Sequence, residues 1–292
     1  MAKRIILVTF IAMSYIFLSL QPVLAWGPER PTYTMKEPAD HAVFNSITDN
    51  AAIGDEREFV RIAEVRTDNK KNKYTTNLEI EAGKDYEVYI YFHNDASATL
   101  NDKEHDYKGV AMNTRFSTDF PSKLGAMETG EVYGAFSSTS TDPKKVWDTA
   151  KITAKEDMTL HYVTGSAKIH NGWNANGSII STKMFSNEGT FIGMNELNGM
   201  IFGCDEFSGH ITYKIRTMKP SEFEAQRASD DATSNEENAD DKESIKEEIV
   251  SENAEMDGQT DNPKKPISPV ILVCAGTVVG VVLVKILNSR RK

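Results

Sequence analysis

Two stretches of the chain hold residue types suited to ligand chemistry. Asp95, Asp102, Glu104 and Asp106, with His93 and His105 among them, crowd oxygen and imidazole ligands into one short segment. A hard cation such as Ca²⁺ takes several oxygens converging on one point, so these four carboxylates are the candidate calcium ligands. The spacing departs from an EF-hand loop, because no Gly holds the central position and no closing Glu follows. Zinc needs three or four convergent ligands, and two histidines in one loop fall short. The competing expectation is a solvated loop between two strands. The second stretch centres on Trp173, set between Asn171-Gly172 and Asn176-Gly177. An indole exposed there would stack on a sugar ring. Trp147 lies in an apolar run and is expected in the core.

Arrangements for catalysis do not appear. Gly165-Ser166-Ala167 is not a G-x-S-x-G elbow. H-E-x-x-H, a P-loop and G-x-G-x-x-G are all missing. Carboxylates are plentiful, but none stand out as an acid/base pair, and glycosidase carboxylates carry no local signature. A non-enzymatic protein without a cofactor is the expectation, with a surface hydrolase as its remote rival.

Charge and hydropathy set out how such residues would be positioned. The chain has 292 residues and a formal net charge of −10. Residues 1–25 open with Lys3 and Arg4, continue through an uncharged apolar run and end in Val23-Leu24-Ala25. That is a signal-peptide pattern with cleavage expected after Ala25. Residues 220–262 hold 15 acids against three bases, too few apolar side chains for a core and enough like charge to keep a tether extended. The linker is drawn at 220–266. Residues 267–287 carry one charge, Lys285, and as a helix would be about 31 Å long, matching the hydrocarbon core. The basic tail 288–292 then stays on the cytoplasmic side. Asn262-Pro263-Lys264-Lys265-Pro266 lacks the LPxTG pattern of a sortase substrate, so the span is expected to be retained. Gly276 and Gly280 form a GxxxG spacing that lets two spans approach, implying a weak homodimer through this helix. The large middle segment has no basic excess, which argues against nucleic acid.

Residues 26–219 are the expected extracytoplasmic domain. Trp26 to Asp55 reads as an extended lead-in over the surface, pinned by Trp26, Tyr33 and Phe44. From Phe59 the period becomes two. Expected strands are Phe59–Val65, Leu78–Ile80, Tyr86–Phe92, Gly109–Ser117, Glu131–Ser138, Val146–Thr153, Leu160–Ile169, Ser178–Thr182 and Ile211–Thr217, separated by Asn-Gly and Ser-Gly turns. Short strands at such spacing predict an all-β sandwich. Cys274 falls in the apolar span, which leaves Cys204 alone in the domain and excludes an internal disulfide. Cys204 is expected to be a small buried hydrophobe.

Some phrases resemble known surface proteins. Tyr89-Ile90-Tyr91-Phe92-His93-Asn94 looks like the central strand of DUF11-type and CARDB-type repeats. Asn45-Ser46-Ile47-Thr48-Asp49-Asn50, Gly54-Asp55-Glu56-Arg57-Glu58-Phe59-Val60, Leu160–Ala167, and Asn195–Gly199 with Gly203-Cys204 and Phe207–Tyr213 are similar to an uncharacterised family of Gram-positive-type bacterial surface proteins. The resemblance implies an immunoglobulin-like β-sandwich outside the cell and assigns no catalytic residue. The expectation is a single-pass protein of a bacterial cell membrane with a binding or structural ectodomain. Its partner would be the cell wall or another surface protein, and carbohydrate or peptidoglycan binding is the first rival.

Overall fold

Along Asp85–Phe92, aromatic and β-branched side chains alternate between a buried set, Tyr86, Val88, Ile90 and Phe92, and an outward set. This alternation makes a half-buried strand, and the same pattern recurs along the chain. A computed structural model describes residues 25–68 and 70–227, which belong to one compact unit. The expected signal peptide before Ala25, the linker beyond 227, the span 267–287 with Gly276 and Gly280, and the tail 288–292 lie outside the described residues. No helix among the described residues is long and apolar enough to cross a membrane.

The described residues form an all-β domain. Its strands are β1 (Val60–Glu64), β2 (Asn77–Ile80), β3 (Asp85–Phe92), β4 (Arg115–Asp119), β5 (Lys123–Leu124), β6 (Thr129–Ser137), β7 (Lys145–Ala154), β8 (Met158–Tyr162), β9 (Lys168–Asn171), β10 (Thr190–Phe191) and β11 (Gly209–Met218). One sheet runs β1-β3-β11-β8-β5. On its second edge β11 pairs with β9 and then β8, which lie end to end. The other sheet runs β10-β4-β6-β7-β2, antiparallel except for β2 beside β7.

The two sheets share one core. Phe136 on β6 sits among Phe44, Phe59, Phe92 and Phe116, with ring centroids 5.6–5.9 Å away. Gly134 lets the sheets close. A Cβ there would stand 2.8 Å from Val60 Cγ2 and 3.1 Å from Ile90 Cδ1. Two polar contacts cross the core. Asp148 Oδ2 on β7 accepts the Val60 N–H at 2.7 Å. Thr118 on β4 donates to the Tyr133 carbonyl at 2.6 Å and meets the Tyr213 hydroxyl of β11 at 2.8 Å.

Several expectations need correction. The lead-in does not merely lie on the surface: Ala39, Ala42, Val43, Phe44 and Ile47 are buried, because Phe44 fills the space beside Phe136. The expected strand Gly109–Ser117 begins only at Arg115, since the Gly109 carbonyl is taken by Asn94 and Ala111 pairs only locally with Ile201. Leu160–Ile169 is two strands, broken where Gly165 takes φ +74°. Ser178–Thr182 keeps only one bridge, Ile179 to Lys168, and leads into a 3-10 turn over Thr182–Phe185. The short strands β5 and β10 carry no sequence period. Residues 220–227, assigned to the tether, are helical. Pro220 suits a first helical position, and Glu222 Oε2 accepts the Lys219 N–H. Phe223 stacks on His161 with centroids 4.3 Å apart. Cys204 is free but half-buried rather than buried, with φ +116°.

Phe136→Ala should destabilise the domain by about 3–5 kcal/mol through the cavity it leaves, read as a shifted urea midpoint. A loss under about 1 kcal/mol would remove Phe136 from the centre of the core.

Candidate functional site

The lead-in carries polar side chains inward alongside its apolar ones. Asn45, Ser46, Asn50 and Glu56 are all buried, and so are His93, Asn94 and Asp95 at the end of β3. The backbone forces them together. Phe44 bridges Asn94, Asn45 N donates to the His93 carbonyl, and Asp95 N donates to the Val43 carbonyl. Asn side chains then satisfy the strand ends. Asn45 accepts from His93 N at 2.8 Å and donates to the Tyr91 carbonyl at 2.9 Å. Asn94 donates to the Gly109 and Ile201 carbonyls at 2.7 and 3.0 Å.

Three ionisable groups converge at this seam. Among the described residues, Glu56, His93 and Asp95 are the one set of three whose ligand atoms all lie within 4.8 Å of one another. His93 Nδ1 is 3.1 Å from each Glu56 oxygen and 3.1 Å from Asp95 Oδ1. Asn50 Nδ2 holds Glu56 Oε1 at 2.6 Å, with the Tyr91 hydroxyl 3.4 Å from the same oxygen. The Ser46 N–H donates to Asp95 Oδ2. Arg30 is buried beside them, donating from Nε to Ser46 Oγ at 2.8 Å and from its terminal nitrogens to the Pro28 and Asn45 carbonyls. Burial pushes Arg30 down to about 10, opposed by the charge of Asp95. Burial drives Asp95 well above the carboxylate range, and the Glu56 charge adds to it against His93. For His93, burial favours the neutral ring, but the Glu56 hydrogen bond and the Asp95 charge outweigh it and raise the ring's pKa.

The predicted calcium ligands separate. Asp95 joins the buried seam. Asp102 caps a 3-10 turn, accepting from His105 N at 3.0 Å and facing His105 Nδ1 at 2.8 Å. Glu104 and Asp106 are exposed. The four do not converge on a point. Trp173 is 38% exposed, with one face stacked on Phe207 at 5.1 Å and Nε1 donating to the Glu206 carbonyl. Trp147 is only partly buried, stacked on Tyr133 and covered by Gly27. The Ala25 carbonyl accepts from Thr149. Glu56 and Arg30, which complete the seam, lack any local signature. Their only sequence mark is a polar run flanking the apolar triplet Ala42-Val43-Phe44.

Solvent-accessible recesses border β4 and β6 of the second sheet. One, of about 660 Å³, runs between Phe120, Tyr133 and Phe185, with Asp119, Glu131, Lys145 and Asn187 around it. A second, of about 780 Å³, shares Ser186 and Asn187 and extends past Lys183 and Glu188 to Arg115, whose guanidinium lies 3.9 Å from the Phe191 ring centroid. The loop between them hugs β4 at Gly189, where a Cβ would meet the Phe116 carbonyl at 2.4 Å. The first sheet differs. Tyr74, Tyr89, His210 and His170 stack in series on its outer side at 5.0, 4.5 and 4.7 Å, covering one another's faces. Burial and then the neighbouring His170 push His210 down to about 4. Comparison with protein-family models, curated proteins and solved structures finds no match.

Asp148 gives the domain a readable pH dependence. Burial raises its pKa to about 7 against hydrogen bonds from Val60, Thr149 and Phe59, with Glu58 adding to the rise. The folded state therefore keeps a proton that the unfolded chain releases near 3.8. This contribution is complete below that value and is lost as pH rises through about 7, by up to about 4 kcal/mol. Chemical unfolding of wild type and Asp148→Asn at pH 4.5, 6 and 7.5 should show wild type losing stability relative to the variant as pH rises. Parallel profiles would refute it.

Proposed function

We propose that this chain is a single-pass protein of a bacterial cell membrane whose immunoglobulin-like β-sandwich is displayed outside the cell as a binding module. The sandwich reading is supported by two sheets sharing one core around Phe136. The placement rests on the signal-like segment 1–25, the acidic linker, the apolar run 267–287 and the basic tail. The observation that carries binding is the pair of adjoining recesses on the second sheet. Their volumes fall in the range of ligand sites, and they combine aromatic rings with several hydrogen-bonding groups. Aromatic edges beside carboxylate, amide and ammonium groups favour a polar ligand with some apolar surface, and a glycan such as a cell-wall strand fits that description. A surface hydrolase has less support, because the one group of three His or acidic side chains that lie within 4.8 Å of one another among the described residues, Glu56, His93 and Asp95, is buried.

Full-length protein in detergent micelles should be retained on purified peptidoglycan sacculi or on glycan arrays. Tyr133→Ala with Asn187→Ala should weaken retention about tenfold, measured on protein that is still folded, while Trp173→Ala leaves it intact. Failure of the wild type to be retained on any glycan would end the glycan reading.

A further inference from the structure

We propose that Glu56, His93 and Asp95 form a buried site for a divalent transition-metal ion of the zinc class. The inference does not depend on which ligand the outer cleft takes. One oxygen of each carboxylate and an imidazole nitrogen lie within 4.8 Å of one another, all of them buried. One proton on His93 Nδ1 cannot serve both carboxylates. Nδ1 faces both Glu56 oxygens at 3.1 Å, and Asp95 Oδ1, although 3.1 Å from the same nitrogen, is buried and takes no hydrogen bond. A buried carboxylate oxygen left in this way is costly. A metal ion, unlike an N–H, reaches both carboxylates at once.

The distances suit such an ion. Zinc sits about 2.0–2.2 Å from nitrogen and oxygen ligands, which places tetrahedral ligand atoms about 3.3 Å apart. His93 Nδ1 lies 3.1 Å from each carboxylate. Calcium fits poorly, since it needs six to eight oxygens and only two carboxylates converge here. The charges also balance: a dication offsets two carboxylates beside a neutral imidazole. Asn50 and the Tyr91 hydroxyl hold Glu56 Oε1 from behind, and Ser46 N–H holds Asp95 Oδ2, so both carboxylates have outer support, while His93 Nε2 is buried without a hydrogen-bond partner. The ion would fasten the lead-in, which supplies Glu56, to the end of β3, which supplies His93 and Asp95. In a domain without a disulfide, this is a cross-link between segments 37 residues apart.

The test uses full-length protein in detergent, produced in zinc-supplemented and in zinc-depleted medium. Elemental analysis of the supplemented preparation should find about one zinc per chain. Its melting temperature should exceed that of the depleted preparation by about 5–10 °C. Cobalt-grown protein should show the visible absorption of a tetrahedral site. Glu56→Gln and Asp95→Asn keep side-chain size and should each abolish the stoichiometric metal. Asp102→Asn, in the exposed turn, should keep it. Should a variant fail to fold, the wild-type metal content and the cobalt spectrum decide alone. Folded wild type from the supplemented medium that carries less than about a tenth of an equivalent of zinc would overturn the proposal. So would zinc that persists in both carboxylate variants.

Discussion

Charge inside an apolar interior has to be balanced on the spot, and here that constraint acts where the lead-in meets β3. Arg30, Glu56, His93 and Asp95 are all withdrawn from water. Removing one member of such a set costs roughly 3–5 kcal/mol, because its partner is left buried and uncompensated. The groups come from three places in the chain, so the balance exists only when Arg30, Glu56 and the end of β3 have all been brought together. Asn45 and Asn94 extend the demand to backbone. Asn94 alone contacts Val43, Gly109 and Ile201, so two later loops are drawn to the same end of the domain. A small set of polar residues thereby specifies where four irregular segments must run, which apolar packing alone specifies weakly.

The aromatic core depends on that arrangement. Phe44 and Phe59 flank the polar lead-in residues, and both reach Phe136. If the lead-in were released, Phe136 would keep Phe92 and Phe116 from the sheets but lose two of its four aromatic neighbours. The core is thus built from two sheets and one irregular strap, and the strap is held at its polar end. Gly134 contributes by omission, since any side chain there would force β1 and β3 away from β6.

Much of the sheet is legible in the sequence because burial alternates with period two along β1, β3, β6, β7 and β11. Legibility fails where the partner, rather than the segment, decides. Lys123-Leu124 and Thr190-Phe191 are too short to show a period and are strands only because β8 and β4 offer free edges. Ala42-Val43-Phe44 looks like an incidental apolar triplet, and its insertion beside Phe136 depends on residues 90 positions away. The seam is harder still. Asp95 can be read as a ligand candidate from its acidic neighbours, yet its real companions are Glu56 and His93. Asp102, Glu104 and Asp106, nearer to Asp95 than Glu56 is in sequence, face solvent or His105. Convergence of side chains from distant segments has no local spacing to betray it.

The two outer faces divide the remaining work. On the six-stranded sheet, Tyr74, Tyr89, His210 and His170 spend their ring faces on one another, so little flat aromatic surface is left for a ligand. The chain also leaves the domain on that side. β11 belongs to this sheet, and the helix that follows it is held against β8 by Phe223 on His161 and by Lys219 beside Glu156. The five-stranded sheet carries no such exit, and its Tyr133 borders an open recess that Phe120 and the Phe185 loop complete. β11 pairs centrally in one sheet and is absent from the other, yet its Tyr213 packs against Phe120 and Phe185, so the recess spans from the five-stranded sheet to the strand that leads to the exit.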